Sequence, residues 1–250
     1  MKTMTKALGS LVAAIALALP AQAATVSLAE LLNGGSITAG DKLFDQWSNP
    51  FYDSSDGRLF DPTNITVTSL DDGGDDPGPG LRFDVLDGEL TIGGDGLYAY
   101  IDLTFGFRVT PAPGKAIKDV SMDGFGAFYG WEGAADGPED AGSYIHESVG
   151  TAALLDDLAE LSVEFSYCLD PVLCFAQGQT AVGSDSGDFA PQGSVYVTKN
   201  ILVWATAETE NAGVSSFVQR FSQQSVPEPG SLALVALALA GLGAAARRRH

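Results

Sequence analysis

The sequence predicts an all-β domain, an antiparallel β-sandwich of jelly-roll type. Three observations carry that expectation. Short runs of alternating apolar and polar residues recur along the chain, and side chains on a strand point alternately to opposite faces. Clusters of Gly, Pro and Asp separate these runs, as turns do between strands. Apolar residues make up 45% of the chain, enough for a core despite a formal net charge of −19. No repeat of fixed period stands out.

At the start, Lys2 and Lys6 precede an apolar run from Ala7 to Leu19 and a small-x-small site, Ala21-Gln22-Ala23. This is the layout of a secretory signal peptide, residues 1–23, cut after Ala23. The sandwich is expected over residues 24–225. Ser27 and Glu30 have capping-box spacing and Gly34 suits a left-handed terminus, so a helix of one or two turns opens the domain. The segment from Gly34 to Phe44 then leads into strands.

Asn64 to Thr68, Leu81 to Val85 and Glu89 to Ile92 read as short strands. Leu97 to Val109 is the clearest one. Its odd positions (Leu97, Ala99, Ile101, Leu103, Phe105, Phe107, Val109) are apolar, and its even positions include Tyr98, Tyr100, Asp102 and Thr104. Thirteen residues would extend roughly 43 Å, so Gly106 is expected to mark a bend or bulge. Leu154, Leu155, Leu158 and Leu161 suit either a helix face or a hairpin turning at Asp156-Asp157; the alternating neighbours favour the hairpin. Leu161 to Tyr167, Ser194 to Ala205 and Val214 to Phe221 complete the strands. Asp71 to Gly80 is expected to be the most flexible interior stretch, with residues 178–193 next.

Cys168 and Cys174 are the only cysteines, and their short spacing in an exported chain suits one disulfide. The loop is short, so its closure would stabilise by only about 2 kcal/mol. His146 and His250 are the only histidines, too few for zinc. A serine triad needs a histidine beside a serine; only His146 is available, and the Gly-x-Ser-x-Gly elbow is absent. Carboxylate pairs arise by chance in so acidic a chain and support no hydrolase. No enzyme activity and no cofactor are therefore expected. Calcium at Asp71, Asp72, Asp75 and Asp76 is a weaker reading beside plain solvated turns. Tyr98 and Tyr100, on the wet face of the long strand, offer rings for stacking on a sugar, against the plainer reading of cross-strand packing. Trp47, Trp131 and Trp204 read as core or edge residues.

The C-terminus has three parts. Pro227-Glu228-Pro229 holds the chain extended. Ser231 to Ala246 carries no charge and would form a helix of roughly 24 Å, a single, slightly short membrane pass. Arg247, Arg248 and Arg249 then place positive charge on the cytoplasmic side. Removing both termini leaves 8 basic and 31 acidic residues, a mature net charge of about −23. Such acidity excludes nucleic acid as a partner, since phosphate binding depends on basic residues.

These three parts, over Val226 to His250, resemble the PEP-CTERM sorting signal of exported bacterial proteins. The opening of the mature chain, Val197 to Ile201 and Val218 to Ser222 resemble the ectodomain of one subgroup of these proteins. The resemblance implies an exosortase as partner, a transient inner-membrane anchor, and residence in the cell envelope or outside the cell. It further implies association with exopolysaccharide and biofilm matrix. The expectation is a non-enzymatic envelope or matrix protein, with a carbohydrate-binding module as the alternative and a secreted glycan hydrolase behind both.

Overall fold

The computed structural model describes residues 23–132, 139–169 and 177–226. In chain order the elements are β1 (Thr25–Ser27), α1 (Leu28–Leu32), β2 (Ile37–Ala39), β3 (Lys42–Ser54), a 3-10 turn (Pro62–Asn64), β4 (Ile65–Leu70), β5 (Gly80–Val85), β6 (Thr91–Gly93) and β7 (Ala99–Pro111). There follow β8 (Lys115–Trp131), β9 (Asp140–Gly150), β10 (Ala159–Cys168), β11 (Gly178–Val182), β12 (Asp185–Gln192), β13 (Val195–Ala205), β14 (Glu210–Arg220) and β15 (Gln223–Ser225).

The strands form two antiparallel sheets packed face to face. The first has the order β1-β4-β5-β14-β8-β12, with β6 on β14 and β15 on β8; the second is β11-β10-β9-β13-β7-β3-β2. The expected antiparallel sandwich is what the chain forms. Alternation builds the inner faces: Ala99, Ile101, Leu103, Phe105, Phe107 and Val109 of β7 are buried, as are Val195, Val197, Ile201 and Val203 of β13. Aromatic rings bridge the sheets. Phe83 of β5 stacks on Phe217 of β14 at 4.5 Å and lies 5.7 Å from Phe105 across the interior. Trp47 of β3 is part of this core, 4.6 Å from Phe107.

Local signals hold at the N-terminus. Ser27 and Glu30 make the reciprocal capping box of α1, and Gly34 follows with φ 91°. Residues 151–158 connect β9 to β10 as a hairpin, with Asp157 accepting from Thr151 N and Oγ1, both at 2.7 Å.

Several expectations need correction. Leu97 is exposed and precedes the strand, because Asp95 accepts from Leu97 N at 2.9 Å and Gly96 turns the chain with φ 81°. Gly106 does not interrupt β7. The irregularities fall on the neighbour β3, on either side of Ser48, which pairs with Gly106, and Gln46 there has φ 54°. A Cβ at Gly106 would lie 2.7 Å from the Val197 carbonyl oxygen, which accounts for the glycine. Residues 178–193 hold strands β11 and β12 at the sheet edges; β12 alternates between half-buried and exposed positions, but its mostly polar and small residues show no apolar face in the sequence. The stretch from Asp71 to Gly80 is tied down rather than loose. Asp72 pairs with Arg220 at 2.8 Å, Asp75 with Lys115 at 2.7 Å, Asp76 with Lys118 at 3.2 Å, and Asp71 accepts from Gly40 N at 2.7 Å.

Candidate functional site on the outer face of the second sheet

The outward residues of β7, β13 and β9 fall into register across the second sheet. Tyr100 lies opposite Trp204, which lies opposite Gly142; Asp102 faces Leu202, which faces Tyr144. Thr104, Asn200 and His146 make the next row, and Gly106, Thr198 and Ser148 the one after. On the far side of β7, Asp53 of β3 is opposite Asp102. From the Trp204 row to the Thr198 row the face extends roughly 20 Å.

One end is aromatic. The Tyr98 and Tyr100 rings lie 6.0 Å apart with a 32° tilt, and Tyr98 is 46% exposed. The Tyr100 hydroxyl donates to Asp53 Oδ2 at 2.6 Å, a bond that raises its pKa. Burial of the ring raises that of Tyr98. The Trp204 indole N–H donates to Asp140 Oδ1 at 2.7 Å, which fixes the ring, and its edge passes above Gly142, where a Cβ would lie 2.8 Å away. Trp204 is thus neither a core nor an edge residue: it stands on the outer face of a strand paired on both sides. Trp131, at the end of β8, is exposed.

The middle is polar. Asn200 Nδ2 donates to Asp102 Oδ1 at 2.5 Å and Thr104 Oγ1 at 3.1 Å. His146 stacks on Tyr144, centroids 6.2 Å apart at 9°. At the far end, Gly106 floors a cleft of about 360 Å³ walled by Gln46, Ser48, Tyr196, Thr198 and Leu154. The Tyr196 hydroxyl donates to Gln46 Oε1 at 3.2 Å, and Leu154, like Gln46, has a left-handed backbone, φ 64°.

The sequence singled out Tyr98 and Tyr100 on this face; Trp204 it assigned to the core or an edge, and Tyr196 it did not single out. The signal was present: the apolar odd positions of β13 face inward, so its even positions face outward. The calcium candidates do not gather. Asp71, Asp72, Asp75 and Asp76 each bind a different partner, and among the described residues no group of three His, Cys, Asp or Glu side chains is arranged to hold a metal. Cys168 ends β10; Cys174 lies outside the described residues, as do the signal peptide through residue 22, Pro227-Glu228-Pro229, the apolar segment 231–246 and Arg247–Arg249. Among the described residues no helix is long and apolar enough to cross a membrane.

Residues 225–249 match the family described as the PEP-CTERM protein-sorting motif. The chain carries a PEP-CTERM sorting signal. It is therefore an exported protein of the kind that an exosortase processes, held at the membrane and then cleaved. No curated protein matches the chain. Among solved structures, one similar fold is TmCBM61 in complex with β-1,4-galactotriose, at 12% identity and a TM-score of 0.24, covering 72% of this chain and 89% of that one. Another is the mannan-recognising carbohydrate-binding module TmCBM27, at 10% identity and a TM-score of 0.25, covering 80% and 97%. Superpositions this slight carry no weight for fold or function.

Proposed function

We propose that this PEP-CTERM protein is a non-enzymatic component of the cell envelope or extracellular matrix that holds exopolysaccharide on the outer face of its second sheet. The observation that supports the reading is the Tyr98–Tyr100 pair, Tyr98 exposed and Tyr100 half-buried, beside Trp204, with Asp53, Asp102 and Asn200 next to it. Aromatic rings offer flat apolar faces to sugar rings, and neighbouring carboxylates and amides accept and donate hydrogen bonds to hydroxyls. The remaining face supplies polar groups over a length suited to an extended polymer rather than a single small molecule. A strongly acidic mature surface fits a neutral glycan better than an anionic one.

The carboxylates at this face already accept hydrogen bonds from Tyr100, Asn200 and Trp204, an arrangement that positions rings and amides. In this reading they do no acid–base work. The test is retention of the exported protein on the producer's own polysaccharide. Tyr98→Ala, Tyr100→Ala and Trp204→Ala each weaken retention while the protein stays folded; equal retention in all three removes this face as the binding site. Release of reducing ends from the same polysaccharide by the wild-type protein would replace the non-enzymatic reading with a hydrolase.

A further inference from the structure

The sandwich core contains a polar cluster with no part in the outer face. Lys199 of β13 lies opposite Glu147 of β9 in the register of the second sheet, and both are fully buried. Gln219 reaches them from β14 in the other sheet and is buried too. Lys199 Nζ contacts Glu147 Oε2 and lies 2.5 Å from Gln219 Oε1, with Met122 Sδ at 3.7 Å and the Phe217 ring centroid at 5.3 Å. Gln219 Nε2 donates to the Ser121 carbonyl at 3.0 Å, so the amide is held with its oxygen toward the lysine. Glu147 Oε1 is buried without a hydrogen-bond partner among the described residues.

As a permanent ion pair this arrangement is poor. Two charges are desolvated, and one carboxylate oxygen is orphaned. Burial pushes the Lys199 ammonium below its ordinary range and the Glu147 carboxyl above its own, each opposed by the charge of the other. Both directions favour the neutral pair, a free amine beside a carboxylic acid. A free amine is a nucleophile. With a carbonyl bond of about 1.23 Å, the Gln219 amide carbon lies within about 3.7 Å of the amine nitrogen, close to the separation of reacting atoms in a bound substrate.

We propose that Lys199 and Gln219 condense into an intramolecular isopeptide bond that ties β13 to β14 across the two sheets, with Glu147 moving the proton. The Lys199 nitrogen lone pair attacks Gln219 Cδ. The amide oxygen takes up negative charge and the attacking nitrogen becomes cationic. Glu147 gives its acid proton to Nε2, the carboxylate left behind takes one proton from the attacking nitrogen, and the Cδ–Nε2 bond breaks as the carbonyl reforms. One ammonia leaves, the new amide keeps a single N–H, and Glu147 ends in its starting state. The interior supplies what the step needs, a dry site and a fixed approach.

A second buried pair is an internal control. Lys42 Nζ contacts Gln223 Oε1, but the carboxylates around it, Asp41 and Asp75, reach solvent. With no buried acid to exchange protons, this pair stays unlinked.

The test is peptide mass spectrometry of the full chain produced with its export signals. The expected result is a linked pair of peptides, one holding Lys199 and the other Gln219, lighter by one ammonia, with no tryptic cleavage at Lys199. Lys42 and Gln223 appear in separate peptides. Glu147→Gln, checked for folding by circular dichroism, gives the Lys199 and Gln219 peptides separately; should that variant not fold, Glu147→Asp is measured for a lower linked fraction. Separate peptides in the wild-type protein overturn the bond. A fully linked product in a folded Glu147→Gln variant, or a Lys42–Gln223 link, overturns the role given to the buried acid.

Discussion

Replacing Tyr98 with alanine separates a binding ring from a packing ring. The side chain is 46% exposed, so it buries roughly half of its area, on the order of 100 Å². At about 25 cal/mol per Å² that corresponds to at most about 2.5 kcal/mol, and residual burial in the unfolded chain lowers the expected loss to about 1–2 kcal/mol. Phe83 is the contrast. It is fully buried, stacked on Phe217 and close to Phe105, Phe107 and Trp47, so Phe83→Ala removes both transfer energy and packing, about 3–5 kcal/mol. In a domain of this size that lowers Tm by roughly 6–20 °C, against a few degrees for Tyr98→Ala. Retention on the polysaccharide, measured well below both transitions, should reverse the order. Phe83→Ala retains normally, and Tyr98→Ala falls roughly fivefold, the equivalent of about 1 kcal/mol of lost ring stacking. Chemical denaturation and retention on the same preparations supply both readouts. A Tyr98→Ala variant as unstable as Phe83→Ala, with normal retention, refutes the binding role and shows the ring to be structural.

Other outcomes can be measured alongside. Arg220→Met removes the bonds to the Gly78 carbonyl at 2.9 Å and to Asp72 at 2.8 Å; the pair with the exposed Asp72 is weak, so the loss is about 1–2 kcal/mol, and limited proteolysis shifts into residues 71–80. Chelation of calcium leaves the melting temperature unchanged, because these loop carboxylates already have protein partners; a calcium-dependent rise would show a cation site. The hydrogen bond from Arg58 holds the Asp56 carboxyl down to about 2, so its stabilisation is complete above the ordinary carboxylate range and fades as pH falls from about 4 toward about 2. Because that side chain is more than one-third exposed, the effect is under about 1 kcal/mol, and Arg58→Met flattens the acid limb of the stability curve by that amount. Mass spectrometry of the exported protein should find a C-terminus lacking Arg247–Arg249 when the exosortase is active and retaining them when it is deleted.

The strands that the sequence revealed and the strands that it hid differ in one physical respect. β7 and β13 are flanked on both sides and half-buried, so their alternation is strict and readable. β8 was obscured by Gly124, Gly126 and Gly130, which carry no side chain to mark a face, and β3 by Pro50, which reads as a break. β11 and β12 lie at sheet edges with polar residues on both sides and looked like loop. The Tyr98–Tyr100 pair was legible because its two members lie two residues apart. Trp204 was not, because its neighbour Tyr100 is more than a hundred residues away in the chain.

Local chemistry alone was enough for the sandwich class, for the capping box of α1, and for the sorting signal, since each depends on residues close together in sequence. Tertiary structure decided which strands lie side by side. That choice set Trp204 opposite Tyr100, sent Asp72, Asp75 and Asp76 to separate cations and Asp71 to the Gly40 N–H, and buried Lys199, Glu147 and Gln219 together between the sheets. The reason is register: one slip of a strand turns every side chain to the other face, and pairings between distant strands are set by the whole buried surface rather than by any short motif.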